Sequence, residues 1–451
     1  MTALHTLGVA ETVRLIRKRE ISPVDVVEAC YQQIETLEPQ LGAWVTLDQR
    51  RALQAARHCE ARLQQGEEAG LLAGLPIGLK DIFYTAGLLT TACSKVYADL
   101  VPEYDATSVV KLRDAGAIMM GKTVTTEFAT ADPSPTRSPW HAEHTPGGSS
   151  SGSAVAVAAR MIPAALGSQT GGSTLRPAAY NGIVGLKPTY GRISRYGVIP
   201  VSWCLDHVGI LVRSVDDAAL MLQAIAGYDA QDPGSLQATV GNYIEAVQQA
   251  EKAPRIGLLR GYFNAHADAQ TVQHTDAVAQ QLEQAGASLR EVQLPACFTS
   301  VLPAQRIIMK VEAAAFHADL FAERRHDYRP KIRHTIESGL LISGVDYLRA
   351  QRLRRRFQEE VAERFDDLDV LLTPATPSPA PRDLTTTGDA SFQAPWTYAG
   401  MPSIALPSGL NQAGMPLGIQ LIAARCEEEK LLAAAKWCEG TMNISLTPPL
   451  S

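Results

Sequence analysis

The chain is poor in aromatic residues, 6% of its 451 positions, and carries no excess of positive charge: 41 Lys and Arg face 47 Asp and Glu, a net −6. That balance leaves no basic footprint for direct contact with nucleic acid. The densest basic run, at 352–356, reads as the solvated face of a helix. Seven cysteines (Cys30, Cys59, Cys93, Cys204, Cys297, Cys426 and Cys438) make an odd number without CxxC spacing. This excludes a disulfide framework and a zinc site, and predicts reduced thiols in a cytoplasm. No apolar run is long enough to span a membrane; the best, 154–167, contains Arg160 and Pro163. The N-terminal MTALHTLGVAETVRLIRKRE has no apolar core of the signal-peptide kind.

What is present is apolar content of 46%, enough to bury a large core. Short β-branched segments at 44–47, 75–83, 117–121, 163–168, 182–186, 208–212, 255–259, 287–293, 369–373, 403–407 and 417–422 read as strands. Amphipathic stretches at 8–20, 23–38, 107–115, 152–160, 215–226, 273–285, 312–323, 345–365 and 427–439 read as helices. Ser22-Pro23 is a helix start, and Ser214-x-x-Asp217 a capping box. Alternation of the two types predicts an α/β protein, a mixed sheet covered by helices on both faces. The run 229–235 (DAQDPGS) is the best loop dividing the chain.

The stretch 145–188, TPGGSSSGSAVAVAARMIPAALGSQTGGSTLRPAAYNGIVGLKP, carries the chemistry. It holds two Gly-Gly-Ser elements whose serines, Ser149 and Ser173, lie 24 positions apart. Glycine before serine lets backbone approach a reacting carbonyl without Cβ interference. It also lets consecutive N–H groups converge on an oxyanion. Upstream, Lys80 sits in GLPIGLKDIF, an apolar run where burial favours a neutral amine. A serine nucleophile with a lysine base is the predicted pair. Asp81 is no partner for Lys80, because neighbours on a strand face opposite ways.

The GGSS…GGS pair, the PIGLKD lysine and the GLKPTYGR tail resemble the amidase signature family of Ser-cisSer-Lys hydrolases. So do TSVVKLRDAGAIMMGKTVTTEFA (107–129), WCLDHVG (203–209), VDYLRAQRLRR (345–355), DVLLTPATPSPAP (369–381) and GMPSIALPSG…GMPLGIQLI (400–422). The resemblance covers nearly the whole chain. It implies one large α/β/α sandwich around a twisted mixed sheet of about eleven strands. The domain is then 1–451, with a signature core at 60–228 and a C-terminal half at 236–451 that completes the sheet and shapes the pocket. It implies Ser173 as nucleophile, Ser149 as the relay serine on a cis peptide bond, and Lys80 as base. The N–H groups of Thr170, Gly171, Gly172 and Ser173 become the oxyanion hole. Ser150 and Ser151 rival Ser149 on sequence alone; the 24-residue offset favours Ser149. No metal and no organic cofactor is implied.

The resulting expectation is a free-standing cytoplasmic amidase acting on a small-molecule amide, with carbamates (urethanes) and urea-like compounds as secondary substrates. It involves no nucleic acid and no membrane, and a homodimer is the default. The alternative is the A subunit of a tRNA-dependent glutamine amidotransferase, which releases ammonia to a partner. Two positions depart from the usual pattern: Gln169 stands where an acid is common, and Arg176 lies three residues after Ser173 instead of two. Trp140, Trp203, Trp396 and Tyr398 are candidates to line an acyl pocket. Gly116-AIMM-Gly121-Lys122-Thr123 spells a phosphate loop but reads as a buried strand. His207 is read as structural or pocket-lining together with Asp206, and His141 and His144 lack a third metal ligand.

Overall fold

A computed structural model describes residues 3–68 and 70–450. Eleven strands form one sheet: β1 Trp44–Leu47, β2 Pro76–Lys80, β3 Ile118–Thr123, β4 Ala164–Gln169, β5 Val184–Lys187, β6 His207–Val212, β7 Arg255–Leu258, β8 Ser288–Glu291, β9 Val370–Pro374, β10 Ser403–Leu410 and β11 Pro416–Ile422. Their spatial order is β1-β3-β2-β4-β6-β5-β10-β11-β9-β7-β8. The sheet is mixed: β2 runs parallel to β3 and β4, and β7 to β8 and β9, while the remaining pairs are antiparallel. β5 pairs with β10, so residues from both sides of the 229–235 loop share the sheet.

Alternation along the central strands explains the layers. Val208, Ile210 and Val212 of β6 join one buried cluster, whereas Leu211 joins another. Successive side chains leave opposite faces of a strand, so both faces are apolar and both need helical cover. On one face the helix Val215–Ile225 contributes Val215, Ala218, Ala219, Met221, Leu222 and Ile225. On the other lies Ser151–Ala158, whose alanines and valines are all buried.

The predicted helix starts have physical counterparts. Ser22 Oγ accepts from the Val24 N–H, with Pro23 in the first turn. Ser214 Oγ accepts from the Asp217 N–H, but the Asp217 carboxylate accepts from Ala10 instead of completing a reciprocal box. The structure adds helices that periodicity did not reveal, among them Gln49–Gln64, Leu175–Asn181, Pro330–Leu341 and Ala394–Ala399, and it begins the helix Val301–Arg324 eleven residues earlier than predicted.

Parallel pairing of β2 with β4, in the register Leu79↔Leu166, brings the C-terminal ends of the two strands side by side. Lys80 ends β2, and Ser168 and Gln169 end β4. The Gly-Gly-Ser loop that precedes the helix Ser151–Ala158 arrives at the same place. Carboxyl ends of strands in open α/β sheets are where sites form.

Candidate active site

Lys80 is fully buried. Its Nζ lies 2.7 Å from Ser149 Oγ and 2.8 Å from Ser168 Oγ, donating to both. Burial pulls its pKa from 10.5 down to about 7, with the charges of Asp206 and Cys93 opposing the fall. Neutral and protonated amine are therefore comparably populated near neutral pH, the condition a general base needs. Asp81 points away, as the strand geometry requires: it accepts from the Thr91 N–H, the Thr91 hydroxyl at 2.6 Å and the Cys93 N–H. Burial raises its carboxyl to about 6.

The peptide between Gly148 and Ser149 is cis. Ser150 and Ser151 do other work. Ser150 Oγ donates to the Ser168 carbonyl and accepts from its N–H, tying the loop to the end of β4. Ser151 Oγ accepts from Ser134 at 2.8 Å. Ser173 is half-buried on the turn between β4 and the helix Leu175–Asn181. Its carbonyl accepts from the Ser150 N–H at 3.3 Å, which brings the two serine loops into contact. Among the described residues no hydrogen bond joins the hydroxyls of Ser149 and Ser173; the Ser149 hydroxyl is engaged by Lys80.

The two departures from the family pattern are explained by their contacts. Gln169 Oε1 accepts from the N–H groups of Thr174 and Leu175, at 2.9 and 3.0 Å, which are acceptor duties a carboxylate would also perform. Arg176 is buried and reaches backward, donating to the carbonyls of Gly148 at 2.6 Å and Gly388 at 2.8 Å and to Thr387 Oγ1. Burial lowers its pKa.

Two further polar groups belong to the site: Ser168, which sequence reading passed over, and Asp206, which it placed with His207 as structural or pocket-lining. Ser168 is the second hydroxyl on Lys80; its position one residue before Gln169 was the available signal. Asp206 is half-buried beside the glycine loop and accepts from Thr170 Oγ1 at 2.5 Å and from the N–H groups of Val201 and Ser202. Burial raises its pKa, against those three donors. A cavity of ≈ 230 Å³ is lined by Ser168, Asp206 and His207 together with Arg195, Trp203 and Asp232.

Three of the four aromatic candidates are corrected. Trp396 and Tyr398 are fully buried among Phe263, Phe357 and Phe392, with the Tyr398 hydroxyl donating to Ala350. Trp140 packs with Tyr180, Ala380 and Met415 and donates to the Asn181 carbonyl. In a chain with few large rings, these rings fill core. Trp203 alone is open, 49% exposed. The phosphate-loop spelling is strand β3, in which Lys122 Nζ donates to the Phe83 carbonyl. His207 is buried with Nδ1 on the Leu205 carbonyl. Among the described residues all seven cysteines are free, and no helix is long and apolar enough to cross a membrane.

A single mixed sheet with a buried lysine and two glycine–serine loops at its carboxyl edge is the architecture of an amidase-signature hydrolase. Residues 25–432 match the Amidase family, and the chain belongs to it, a hydrolase of C–N bonds. The chain is 38% identical to the A subunit of the glutamyl-tRNA(Gln) amidotransferase of Geotalea daltonii, across 96% of each chain. It superposes with TM-score 0.91 and 34% identity, over 97% of this chain and 99% of the other, on a structure described as "an unexpected vestigial protein complex" that "reveals the evolutionary origins of an s-triazine catabolic enzyme". It is also similar to the peptide amidase of Stenotrophomonas maltophilia, with TM-score 0.88 and 30% identity over 99% of each chain.

These likenesses correct the expectation of a chain working on a small molecule without protein partner or nucleic acid. Relatives matched end to end are, by name, subunits of an amidotransferase of glutamyl-tRNA(Gln). Net charge was too narrow a guide: −6 bears on what this chain touches directly, not on what an assembly handles.

Proposed function

We propose that this chain is the amide-cleaving A-type subunit of an amidotransferase-like assembly, releasing ammonia from a terminal carboxamide of the glutamine type. The observation that supports the chemistry is the pair of short contacts from buried Lys80 to Ser149 and Ser168. Likeness along 96% of both chains to the amidotransferase subunit supports the assembly. In the proposed cycle, neutral Lys80 draws a proton through Ser149 as Ser173 Oγ attacks the carbonyl carbon. The N–H groups at 170–173 face the oxyanion. The proton returns through Ser149 to the leaving nitrogen, the C–N bond breaks, and water then cleaves the acyl-serine by the same relay. Residues 60–228 would supply these reacting groups as one signature core, and 236–451 would shape the cleft around them.

Ser173→Ala is the test of the nucleophile: turnover should fall by at least about 10³-fold with the fold intact, and retained activity would end this reading. The assembly is tested by glutaminase activity with and without co-expressed partner subunits. A second reading is favoured by the fit to the s-triazine-related complex: a catabolic hydrolase of an amide, carbamate or urea-like bond that keeps a partner protein but takes no part in tRNA chemistry. Ammonia release from biuret or an aryl amide, with none from glutamine, would select it.

A further inference from the structure

Every carbonyl of the glycine loop is held, and those of Thr170 and Gly171 are held by side chains from the distant half of the chain. Gln305, in the helix Val301–Arg324, is buried and its Nε2 donates to the Thr170 carbonyl at 3.1 Å. Thr397, in the helix Ala394–Ala399, is fully buried and its hydroxyl donates to the Gly171 carbonyl at 2.7 Å. The next carbonyl, that of Gly172, accepts from the Arg176 N–H, and that of Ser173 from the Ser150 N–H. By contrast, the N–H groups of Gly171, Gly172 and Ser173 donate to no protein group among the described residues.

A trans peptide unit is planar, with its C=O and N–H pointing opposite ways. Fixing the carbonyl of residue 170 therefore fixes the direction of the N–H of residue 171, and fixing that of 171 fixes the N–H of 172. Glycine has no side chain to lock such a loop, and it has the widest freedom to rotate its peptides away. Orientation must come from outside the loop. The space beside the loop agrees with this: a Cβ on Gly172 would meet Gln393 Oε1 at 2.6 Å, so the loop packs directly against the C-terminal half.

Gln169 explains why Thr397 donates in that direction. A threonine hydroxyl has one proton and can also accept. Gln169 Oε1 is committed to two N–H groups, so its other end is the amide nitrogen, which donates to Thr397 Oγ1 at 3.0 Å. With that donor arriving, the Thr397 proton is directed outward to an acceptor, and the Gly171 carbonyl at 2.7 Å is nearer than the Gln393 carbonyl at 3.2 Å. A carboxylate at position 169 would compete for the same proton. The carboxamide sends it to the loop.

We propose that Gln305 and Thr397, with Gln169 setting the sense of the second, are positioning residues that aim the oxyanion-binding N–H groups of Gly171 and Gly172. The proposal rests on the reading of Ser173 as nucleophile. It gives the C-terminal half a part in the chemistry: the reacting atoms lie in the first half, and two side chains of the second help to orient the donors that stabilise the transition state.

The test uses the full chain and an alkyl fluorophosphonate. In that reaction Ser173 Oγ forms a bond to phosphorus, fluoride leaves, and the serine proton passes to Lys80. The adduct's oxygen occupies the oxyanion position, so kinact reads the donors while KI reads ground-state binding. Removing an oxyanion donor outright costs about 10²–10³-fold, and misaiming one should cost about 10–100-fold. Gln305→Met and Thr397→Val are each expected to lower kinact by that factor with KI within about twofold, and Thr397→Ser to restore it. Gln169→Glu should lower kinact with Thr397 still present. Unchanged kinact in both Gln305→Met and Thr397→Val overturns the proposal, as does a Thr397→Ser chain as slow as Thr397→Val. Ser173→Ala run in parallel separates the two claims: if it still reacts with the probe the nucleophile assignment fails, whereas an inert Ser173→Ala beside a normal Thr397→Val sinks only the positioning role.

Discussion

Arg176 Nη2 donates to the Gly148 carbonyl at 2.6 Å, so a guanidinium just after the proposed nucleophile grips the peptide that leads into Ser149. Nη1 of the same group holds the Gly388 carbonyl. One buried cation thus ties the relay loop to a segment more than two hundred residues away. It forms no ion pair among the described residues; its acceptors are carbonyls and a hydroxyl.

Arg176→Met is predicted to be destabilising and slow. A lone buried charge is costly, and removing it recovers that cost. Against this, the buried Gly148 carbonyl and the half-buried Gly388 carbonyl lose their charged donors, at about 1–3 kcal/mol each, the larger share at Gly148. The second effect should win, lowering the unfolding free energy by about 2–4 kcal/mol in a urea titration. Arg176→Lys should recover little, because an ammonium cannot reach diverging acceptors as a planar fork does. A wild-type midpoint for Arg176→Met would show that the contacts carry no net stability.

Acylation should depend on pH through Lys80. Its pKa of about 7 means that kcat/KM rises as pH climbs through neutrality and levels off once the amine is neutral. The expected limb has unit slope with its midpoint near that value. Asp206→Asn removes the negative charge that most opposes the fall of the Lys80 pKa, so the midpoint should move to lower pH. Activity should fall as well, because the amide would keep its oxygen on the Val201 and Ser202 N–H groups and turn its nitrogen toward the Thr170 hydroxyl, which now donates to Asp206. A midpoint that stays in place in Asp206→Asn would mean that the two groups are not electrostatically coupled.

Much of this molecule is legible in its sequence, for identifiable reasons. Most strands were located because they are β-branched, apolar and bounded by turn residues; Ala164–Gln169 and Ser288–Glu291 lack β-branched residues and were placed by their apolar flanks and the alternation with helices. The sheet order was not legible, since Val184–Lys187 pairs with a strand over two hundred residues later and nothing local encodes that. The helix Gln49–Gln64 escaped because its buried residues are two alanines and a leucine among charges. The lysine and two serines stood out because glycine and a buried cation are unusual neighbours. Ser168, Gln305 and Thr397 are ordinary polar residues whose meaning appears only when the chain closes. Trp396 and Tyr398 misled for the opposite reason: a large ring near a motif looks like a ligand contact until its burial is known.

Two backbone pairs near the site hold non-glycine residues at positive φ, and one of them predicts a glycine substitution that costs no stability. Ala92 and Cys93 have φ of +50°, and Phe128 and Ala129 have +47° and +56°; the Phe128 N–H donates to the Ala92 carbonyl. Left-handed conformation costs a non-glycine residue about 1–2 kcal/mol. Ala129→Gly relieves that while losing one methyl and gaining unfolded-state freedom, worth about 0.5–1 kcal/mol against it. The expected net is neutral to mildly stabilising, whereas Ala→Gly in the helix Ser151–Ala158 should destabilise. Equal losses at Ala129 and Ala156 in thermal melts would contradict the strain at 129.

The protein's stability should rise, not fall, as pH is taken above neutrality, and Lys80 is only part of the cause. Lys122 and Lys187 are also fully buried with pKa lowered to about 7, each by burial first. Neither has the hydroxyl partners of Lys80: Lys122 donates to the Phe83 carbonyl and Lys187 to that of Met401. In the unfolded chain all three amines return to about 10.4. Between the folded and unfolded values the unfolded state holds more protons, so raising pH favours the native state, by up to about 1.4 kcal/mol per pH unit for each lysine. The upper limit comes from thiols. Burial raises Cys30, Cys93, Cys204 and Cys438 to about 12, so above their unfolded pKa, about 8.5, the unfolded chain loses protons that the native state keeps, and stability turns down. Below neutrality, Asp81, raised to about 6, pulls the other way, its stabilising contribution being lost as pH rises through that value. The melting temperature should therefore climb from pH 7 to a maximum between about 8 and 9. Lys122→Met should remove about a third of the rising slope while leaving the acid limb of kcat/KM in place. If melting temperature falls steadily from pH 7 to 9, or if Lys122→Met leaves its slope unchanged, the buried amine at 122 keeps its proton in the native state and contributes nothing to the rise.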